Sequence, residues 1–111
     1  MALRLAFLGF NEEQTLLYFD ELAVLNAEQV LHYDGRFGRI LLKDGTEIMR
    51  ISGARACSDG LRYDQAILAD DHRMNIWNAR AREIDWLRHC MAMSEIPPEF
   101  QFIIYDLDSE V

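Results

Sequence analysis

Apolar and polar positions along the chain fall into patterns that predict six strands and two long helices. Short apolar runs between turn residues are typical of strands, and apolar positions that recur every three or four residues indicate one face of a helix. The predicted strands are Leu3–Leu8, Gln29–Tyr33, Arg39–Leu42, Glu47–Ile51, Tyr63–Ala69 and Phe100–Tyr105, and the predicted helices are Glu12–Leu25 and Met74–Met93. Their order, β-α-β-β-β-β-α-β, predicts an α/β fold with a mixed sheet and two main helices to cover it.

Turn and cap residues mark where several of these elements begin. Asn11, with Gln14 three residues later, is similar to a capping box and places a helix start there. Asp44-Gly45 predicts a tight type I′ hairpin between the third and fourth strands, because that turn needs positive φ at both central positions. The last two strands flank the second helix, so we expect them to lie parallel.

The length and composition predict one small domain. The chain has 111 residues, half of them apolar, and can therefore bury a single core. The acidic tail 106–111 is expected to fray. No apolar run is long enough to span a membrane and the N-terminal run is too short for a signal peptide, which favours the cytoplasm. Cys57 and Cys90 lack metal-site spacing and are expected to be reduced thiols, with Cys90 a small core residue.

Charge is unevenly distributed along the chain. The formal net charge is −8, which opposes general nucleic-acid binding because contacts with phosphates would be repulsive. Residues 1–35 carry one Arg against six acids, whereas residues 36–62 carry six bases against three acids. The basic segment predicts a partner or anion site built from guanidinium groups, and the alternative is that these groups pair with acids of this chain or of a second copy. The candidate partner-binding arginines are Arg36, Arg39, Arg50 and Arg55.

Two carboxylates follow the predicted buried strand Tyr63–Ala69. Asp70 and Asp71 come at its carboxyl end, where ligands bind in open α/β sheets, and one or two carboxylates are enough to hold Mg²⁺. They are the candidate metal site, and Mg²⁺ is the candidate cofactor. The alternative is that Asp71 or a neighbour simply begins the next helix. His72, beside them, is expected to face solvent.

The residues around this strand resemble part of a known enzyme family. The runs 38–48 and 61–70 are similar to the hairpin and the magnesium-binding strand in the ATPase core of phage terminase large subunits, over about a third of the chain. The resemblance implies that Asp70 coordinates magnesium, that Asp71 matches the acid that activates water, and that the chain originates from a prophage or similar element. The phosphate loop GxxxxGK[ST] is absent and Lys43 is the only lysine, so ATP hydrolysis by this chain alone is not expected.

The two tryptophans lie on opposite sides of the predicted second helix. Trp77 and Trp86 are nine residues apart, which places them about 180° apart around a helix axis, so both cannot face one core. Trp77 heads the predicted apolar stripe. The remaining members of that stripe are Ala81, Ile84, Leu87 and Met91. Trp86 is therefore predicted to be exposed and to anchor a partner.

Taken together, these patterns predict a protein-association module without catalytic activity, with a protein partner or a second copy as its target. Two alternatives remain open. One is a magnesium- and nucleotide-dependent enzyme fragment whose phosphate loop comes from a partner. The other is an acidic protein that imitates nucleic acid and occupies a DNA-binding protein.

Overall fold

The sheet has six strands and is covered by helices on both faces. A computed structural model describes residues 2–51, 62–70 and 75–106. The strands are β1 Arg4–Gly9, β2 Val30–Asp34, β3 Arg39–Leu42, β4 Glu47–Arg50, β5 Gln65–Asp70 and β6 Phe102–Asp106, and the helices are α1 Glu12–Leu25, α2 Ile76–Ala79 and α3 Ala81–Cys90. A single 3-10 turn, Pro98–Phe100, precedes β6. None of the helices in these residues has the length and apolar composition that a membrane span requires.

The strands lie in the order β2-β3-β4-β1-β5-β6. β1 is parallel to both of its neighbours, β4 and β5, and β5 is parallel to β6. β3 is antiparallel to β2 and to β4. The predicted α/β class, the mixed sheet and the parallel pair around the second helical region are therefore confirmed.

β1 has side chains buried on both faces of the sheet. Leu5 and Phe7 join the core under α1, whereas Ala6 and Leu8 join the core under α2 and α3. A strand covered on both sides is expected to be apolar throughout, and β1 carries no polar residue after Arg4. The domain is thus a three-layer arrangement of α1, the sheet, and the α2–α3 pair.

Helix α1 begins and ends where its sequence signals predict. Asn11 is the N-cap, and its side-chain oxygen accepts a hydrogen bond from the backbone N–H of Gln14 at 2.8 Å. The acids of the first turn, Glu12 and Glu13, lie at the positive end of the helix dipole. At the other end, Asn26 donates from its side-chain nitrogen to the Leu22 carbonyl at 2.8 Å and closes the last turn.

The prediction of one continuous helix, Met74–Met93, is wrong, because the structure has two helices, α2 and α3, in this region. The helical run is interrupted at Arg80, whose φ of −119° and ψ of 32° separate α2 from α3. The buried positions of the pair are Ile76, Arg80, Ile84, Leu87, Cys90 and Met91. Three members of the predicted stripe are confirmed by that burial, but Ile76 and Arg80 take the inward places assigned to Trp77 and Ala81. The buried stripe is therefore shifted by one residue at its N-terminal end, where a charged side chain, Arg80, occupies one of its positions.

The predictions for the two cysteines and for the acidic tail can be compared with the structure only in part. Cys90 is buried and is a free thiol, as predicted, whereas Cys57 lies outside the described residues. The residue that begins the predicted tail, Asp106, is the last residue of β6. The rest of that tail, residues 107–111, lies outside the described residues.

The β3–β4 hairpin is confirmed, but its turn is not the predicted type I′. Gly45 has a φ of 92°, whereas no described non-glycine residue, Asp44 included, has positive φ. The Gly45 N–H donates to the Leu42 carbonyl at 3.0 Å, and the Leu42 N–H donates to the Thr46 carbonyl at 2.8 Å. These bonds enclose a three-residue loop whose last residue is left-handed, which is the next most common hairpin form.

Because Gly45 is left-handed, the stability lost on replacing it should depend on how well the new residue tolerates positive φ. Gly45→Val should destabilise the protein by about 1–2 kcal/mol more than Gly45→Asn, because asparagine tolerates positive φ far better than a β-branched residue. Urea unfolding of both variants measures the difference. Equal stabilities would show that the loop changes its conformation at no cost.

Candidate functional site

The carboxyl ends of β1 and β5 lie side by side, and the chain leaves them toward opposite faces of the sheet. Gly9, the last residue of β1, pairs with Ala69 of β5. After β1 the chain enters α1 on one face, and after β5 it reaches α2 and α3 on the other. In open α/β sheets ligands bind outside the carboxyl edge at such a divergence, so a ligand site is expected at this edge.

A buried arginine connects the two helical layers near this edge. Arg80, at the junction of α2 and α3, is only 9% exposed. Its Nη2 lies 3.4 Å from Oε1 of Glu12, the first residue of α1, and its Nη1 lies 3.8 Å from Oε1 of Glu83. Its Nε is buried without a hydrogen-bond partner among the described residues. The guanidinium thus makes one contact with α1 in the opposite layer and one within its own layer.

The loop between β1 and α1 is held closely against the first helical turn. The Gly9 N–H donates to Thr15 Oγ1 at 2.9 Å, and that hydroxyl donates to the Asn11 carbonyl at 2.6 Å. A Cβ on Gly9 would lie 2.7 Å from the Thr15 backbone nitrogen, which is closer than side chains tolerate. Glycine is therefore required at this position by close approach, and the buried Thr15 hydroxyl has its hydrogen-bonding capacity satisfied.

The candidate metal residues are only partly within the described chain. Asp70 ends β5, and its Cα is paired in register with that of Asp106 at the end of β6. Asp71 and His72 lie outside the described residues. Within the described residues, no group of three or more His, Cys, Asp or Glu side chains is arranged to hold a metal ion. The assignment of Mg²⁺ to Asp70 and Asp71 stays a prediction.

Two of the candidate partner-binding arginines make contacts within the chain. Arg39 forms a two-point contact with Glu47 across the hairpin, with Nη2 at 3.1 Å from Oε1 and Nε at 3.3 Å from Oε2. The alternative of pairing with acids of the same chain therefore applies to Arg39. Arg36 is exposed in the turn after β2, and Arg55 lies outside the described residues.

Arg50 supports the turn that connects β2 to β3. Its Nη1 donates to the Gly35 carbonyl at 3.0 Å, and its guanidinium carbon lies 5.6 Å from the centre of the Phe19 ring. That placement allows a cation–π contact with α1, since Phe19 is a buried residue of that helix. Arg50 therefore joins the turn, β4 and α1, and its partner-binding role stays a prediction.

The predicted orientation of the two tryptophans is wrong. Trp77 is 41% exposed, and its ring packs edge-on against Phe102 of β6 with centroids 5.4 Å apart. Trp86 packs against the core under α3 and meets the Tyr63 ring edge-on at 6.3 Å. The shift at Ile76 and Arg80 places Trp77 at the surface. Trp86, next to the buried Leu87, is only partly exposed and lies against the core. The exposed tryptophan therefore lies beside an edge strand.

The sequence interpretation missed an apolar surface on the outer side of α1. The residues that α1 buries are Thr15, Phe19, Leu22 and Ala23. On the opposite side, Leu17 is 59% exposed and Val24 is 74% exposed. Glu13 and Glu21 share that side at helical spacing, so acids and aliphatic residues alternate along it. The signal that could have found this surface is the presence of apolar residues all around the helix.

A shallow apolar hollow continues this surface onto β2. Its volume is about 270 Å³, and it is lined by Ala23, Val24, Ala27, Val30 and Tyr33. The Tyr33 hydroxyl donates a hydrogen bond to the Asp20 carboxylate, which fixes one wall of the hollow to α1. We call the outer side of α1 and this hollow together the α1 surface. It offers aliphatic contacts next to carboxylates.

Comparison with known proteins adds no relative. No protein-family description matches the chain, and neither curated proteins nor solved structures contain a match. The resemblance of residues 38–71 to terminase large subunits accordingly stays a prediction.

The Arg39–Glu47 pair predicts a small, acid-sensitive contribution to stability. The hydrogen bond from Arg39 holds the pKa of Glu47 below its ordinary value, although partial burial opposes this. A carboxylate of lowered pKa stabilises the fold fully above its unfolded pKa of about 4.3, and this stabilisation is lost as pH falls through the folded pKa. Both side chains are partly exposed, so the expected size is below about 1 kcal/mol.

Glu47→Gln should therefore reduce the fall in unfolding free energy between about pH 5 and about pH 3, since the glutamine does not titrate. Urea unfolding at several pH values measures this fall. Arg39→Met is the control, because it leaves the carboxylate but removes its donor and should have the same effect. An unchanged pH dependence in both variants would contradict the role of the pair.

Proposed function

We propose that this protein is a protein-association module that binds, through the α1 surface, a partner segment carrying both basic and apolar side chains. The observation that supports this is the alternation of acids and exposed aliphatic residues along the outer side of α1. Leu17 and Val24 offer apolar area that no described part of the chain covers. Val24 also lines the apolar hollow, and contiguous exposed apolar area of this kind is typical of interaction sites.

The charge around the α1 surface determines the kind of partner. The chain has no Lys or Arg between Arg4 and Arg36, and the same stretch contains six acids. A partner that carries Lys or Arg beside its apolar residues would place opposite charges together and would associate faster. A second copy docked α1 to α1 would instead bring two acidic helices together, which costs free energy.

The apolar residues distinguish this proposal from nucleic-acid mimicry. A mimic needs carboxylates arranged as phosphates are, and binding would then depend on charge alone. On the α1 surface the carboxylates alternate with Leu17 and Val24 and adjoin the hollow beside Tyr33. Such a surface is better suited to binding an amphipathic segment than to binding a protein whose site recognises a phosphate backbone.

Three synthetic peptides of one length test the proposal. The first places leucines and lysines at helical spacing, the second replaces its lysines with glutamates, and the third replaces its leucines with serines. At about 150 mM salt, where long-range charge effects are screened, we expect fluorescence anisotropy to detect binding of the first peptide only. Binding of the serine–lysine peptide with equal affinity would favour mimicry instead.

Substitutions on the α1 surface should locate the binding. The double variant Leu17→Ser and Val24→Ser is expected to weaken binding of the leucine–lysine peptide by about tenfold or more, a loss of about 1.4 kcal/mol. Met93→Ser removes a similarly exposed apolar side chain beyond the C-terminal end of α3, in the opposite layer, and should leave binding unchanged. Equal affinities of the unmodified chain, the double variant and Met93→Ser for this peptide would overturn the proposal.

A further inference from the structure

We infer that two copies of this chain join through β6, whose exposed edges pair antiparallel across a two-fold axis. This interface is separate from the α1 surface and does not depend on the proposed function. β6 ends the sheet, and no described strand pairs with its outer side. The two six-stranded sheets would become one continuous sheet.

The backbone of β6 has hydrogen-bonding groups available for this pairing. The Ala66 N–H donates to the Gln101 carbonyl, and Ala66 is paired in register with Phe102. In a parallel ladder with this register, Ile103 directs its N–H and C=O toward β5, whereas Phe102 and Ile104 direct theirs outward. An outer row of unpaired groups is a template for another strand.

The side chains near this edge are apolar and exposed. Ile104 is 47% exposed, and Ile103, on the other face of the sheet, is 39% exposed. Phe102 shares the face of Ile104 and contacts the exposed Trp77 ring. Natural edge strands are commonly protected by lysine, proline or a bulge, and none of these occurs within β6. A large aromatic at such an edge is a typical binding anchor.

Charge favours a second copy as the occupant of this edge. β6 is uncharged from Phe102 to Tyr105 in a chain whose net charge is −8, so two copies can approach here without opposing carboxylates. With Ile104 on the two-fold axis, Asp106 lies opposite Phe102 of the other copy and not opposite its own counterpart. Each Asp106 therefore faces an uncharged aromatic residue and not a second carboxylate.

The opposite edge of the sheet is less suited to pairing. The register of β2 against β3 shifts between Val30 and His32, which is a β-bulge or a similar irregularity. Bulges interrupt an edge and discourage strand addition. Pairing of β2 with β6 between copies would also be head to tail and would propagate into filaments, whereas β6 with β6 closes as a dimer.

Amide hydrogen exchange of the unmodified chain tests the backbone part of the inference. The Ile103 amide is bonded within the sheet and should be protected at every protein concentration. The Ile104 amide should exchange quickly in dilute protein and at least about tenfold more slowly in concentrated protein, where the dimer forms. Exchange at Ile104 that is fast and independent of concentration would overturn the inference.

Sedimentation between about 1 µM and about 1 mM protein, the range for weak complexes, measures the assembly. We expect a monomer–dimer equilibrium that Ile104→Lys abolishes, with urea unfolding confirming that the variant is folded. Leu17→Lys adds the same charge at an exposed aliphatic position of α1 and should dimerise like the unmodified chain. A monomer throughout, an assembly larger than a dimer, or loss of the dimer only in Leu17→Lys would overturn the inference.

These measurements separate this inference from the proposed function. Ile104→Lys should still bind the leucine–lysine peptide, and the double variant at Leu17 and Val24 should still dimerise. Failure of one result leaves the other intact, because the two surfaces share no residue.

Discussion

The burial of β1 on both faces is the constraint on which the rest of the structure depends. Its side chains alternate between two separate cores, so a helix is needed on each side of the sheet. α1 follows β1 directly and covers one face. The other face is covered by α2 and α3, which follow β5. The chain therefore leaves the carboxyl ends of β1 and β5 toward opposite faces of the sheet. The Arg80–Glu12 contact and the close packing of Gly9 on Thr15 both occur where that divergence begins.

Elements with strong local signals could be predicted from the sequence. The bounds of α1 are those predicted, because Asn11 caps its start and the apolar spacing continues to Leu25. β3 also has its predicted bounds, because the glycine after Asp44 marks the turn between two apolar runs. The predicted turn type was wrong, because only Gly45 adopts a left-handed conformation and the preceding Asp44 keeps a negative φ.

Contacts between distant residues explain the predictions that failed. Arg80 was not expected in a buried stripe, because its partner Glu12 is 68 residues away and is near only in the folded chain. Ile76 and Arg80 take the inward positions, so Trp77 is exposed. Trp86 packs on Tyr63, which is likewise distant from it along the chain. The position of β6 at the edge likewise depends on the strand order, which no local pattern specifies. The α1 surface is different, since the apolar residues among the acids on the outer side of that helix were visible in the sequence itself.

The place of β1 in the sheet also affects how the chain can fold. β1 precedes the other described strands along the chain. The backbone N–H of Leu3, just before β1, donates to the Thr46 side chain 43 residues further along, and the N–H of Arg4, the first residue of β1, donates to the Asp64 side chain 60 residues further along. Contacts between such distant residues require large loops to close, and folding dominated by them is slow. β1 and α1 must therefore remain without most of their partners until β4 and β5 have been synthesised. During that interval β1, which the folded protein buries on both faces, is exposed, so the growing chain is prone to aggregation until β4 and β5 are available to pair with it.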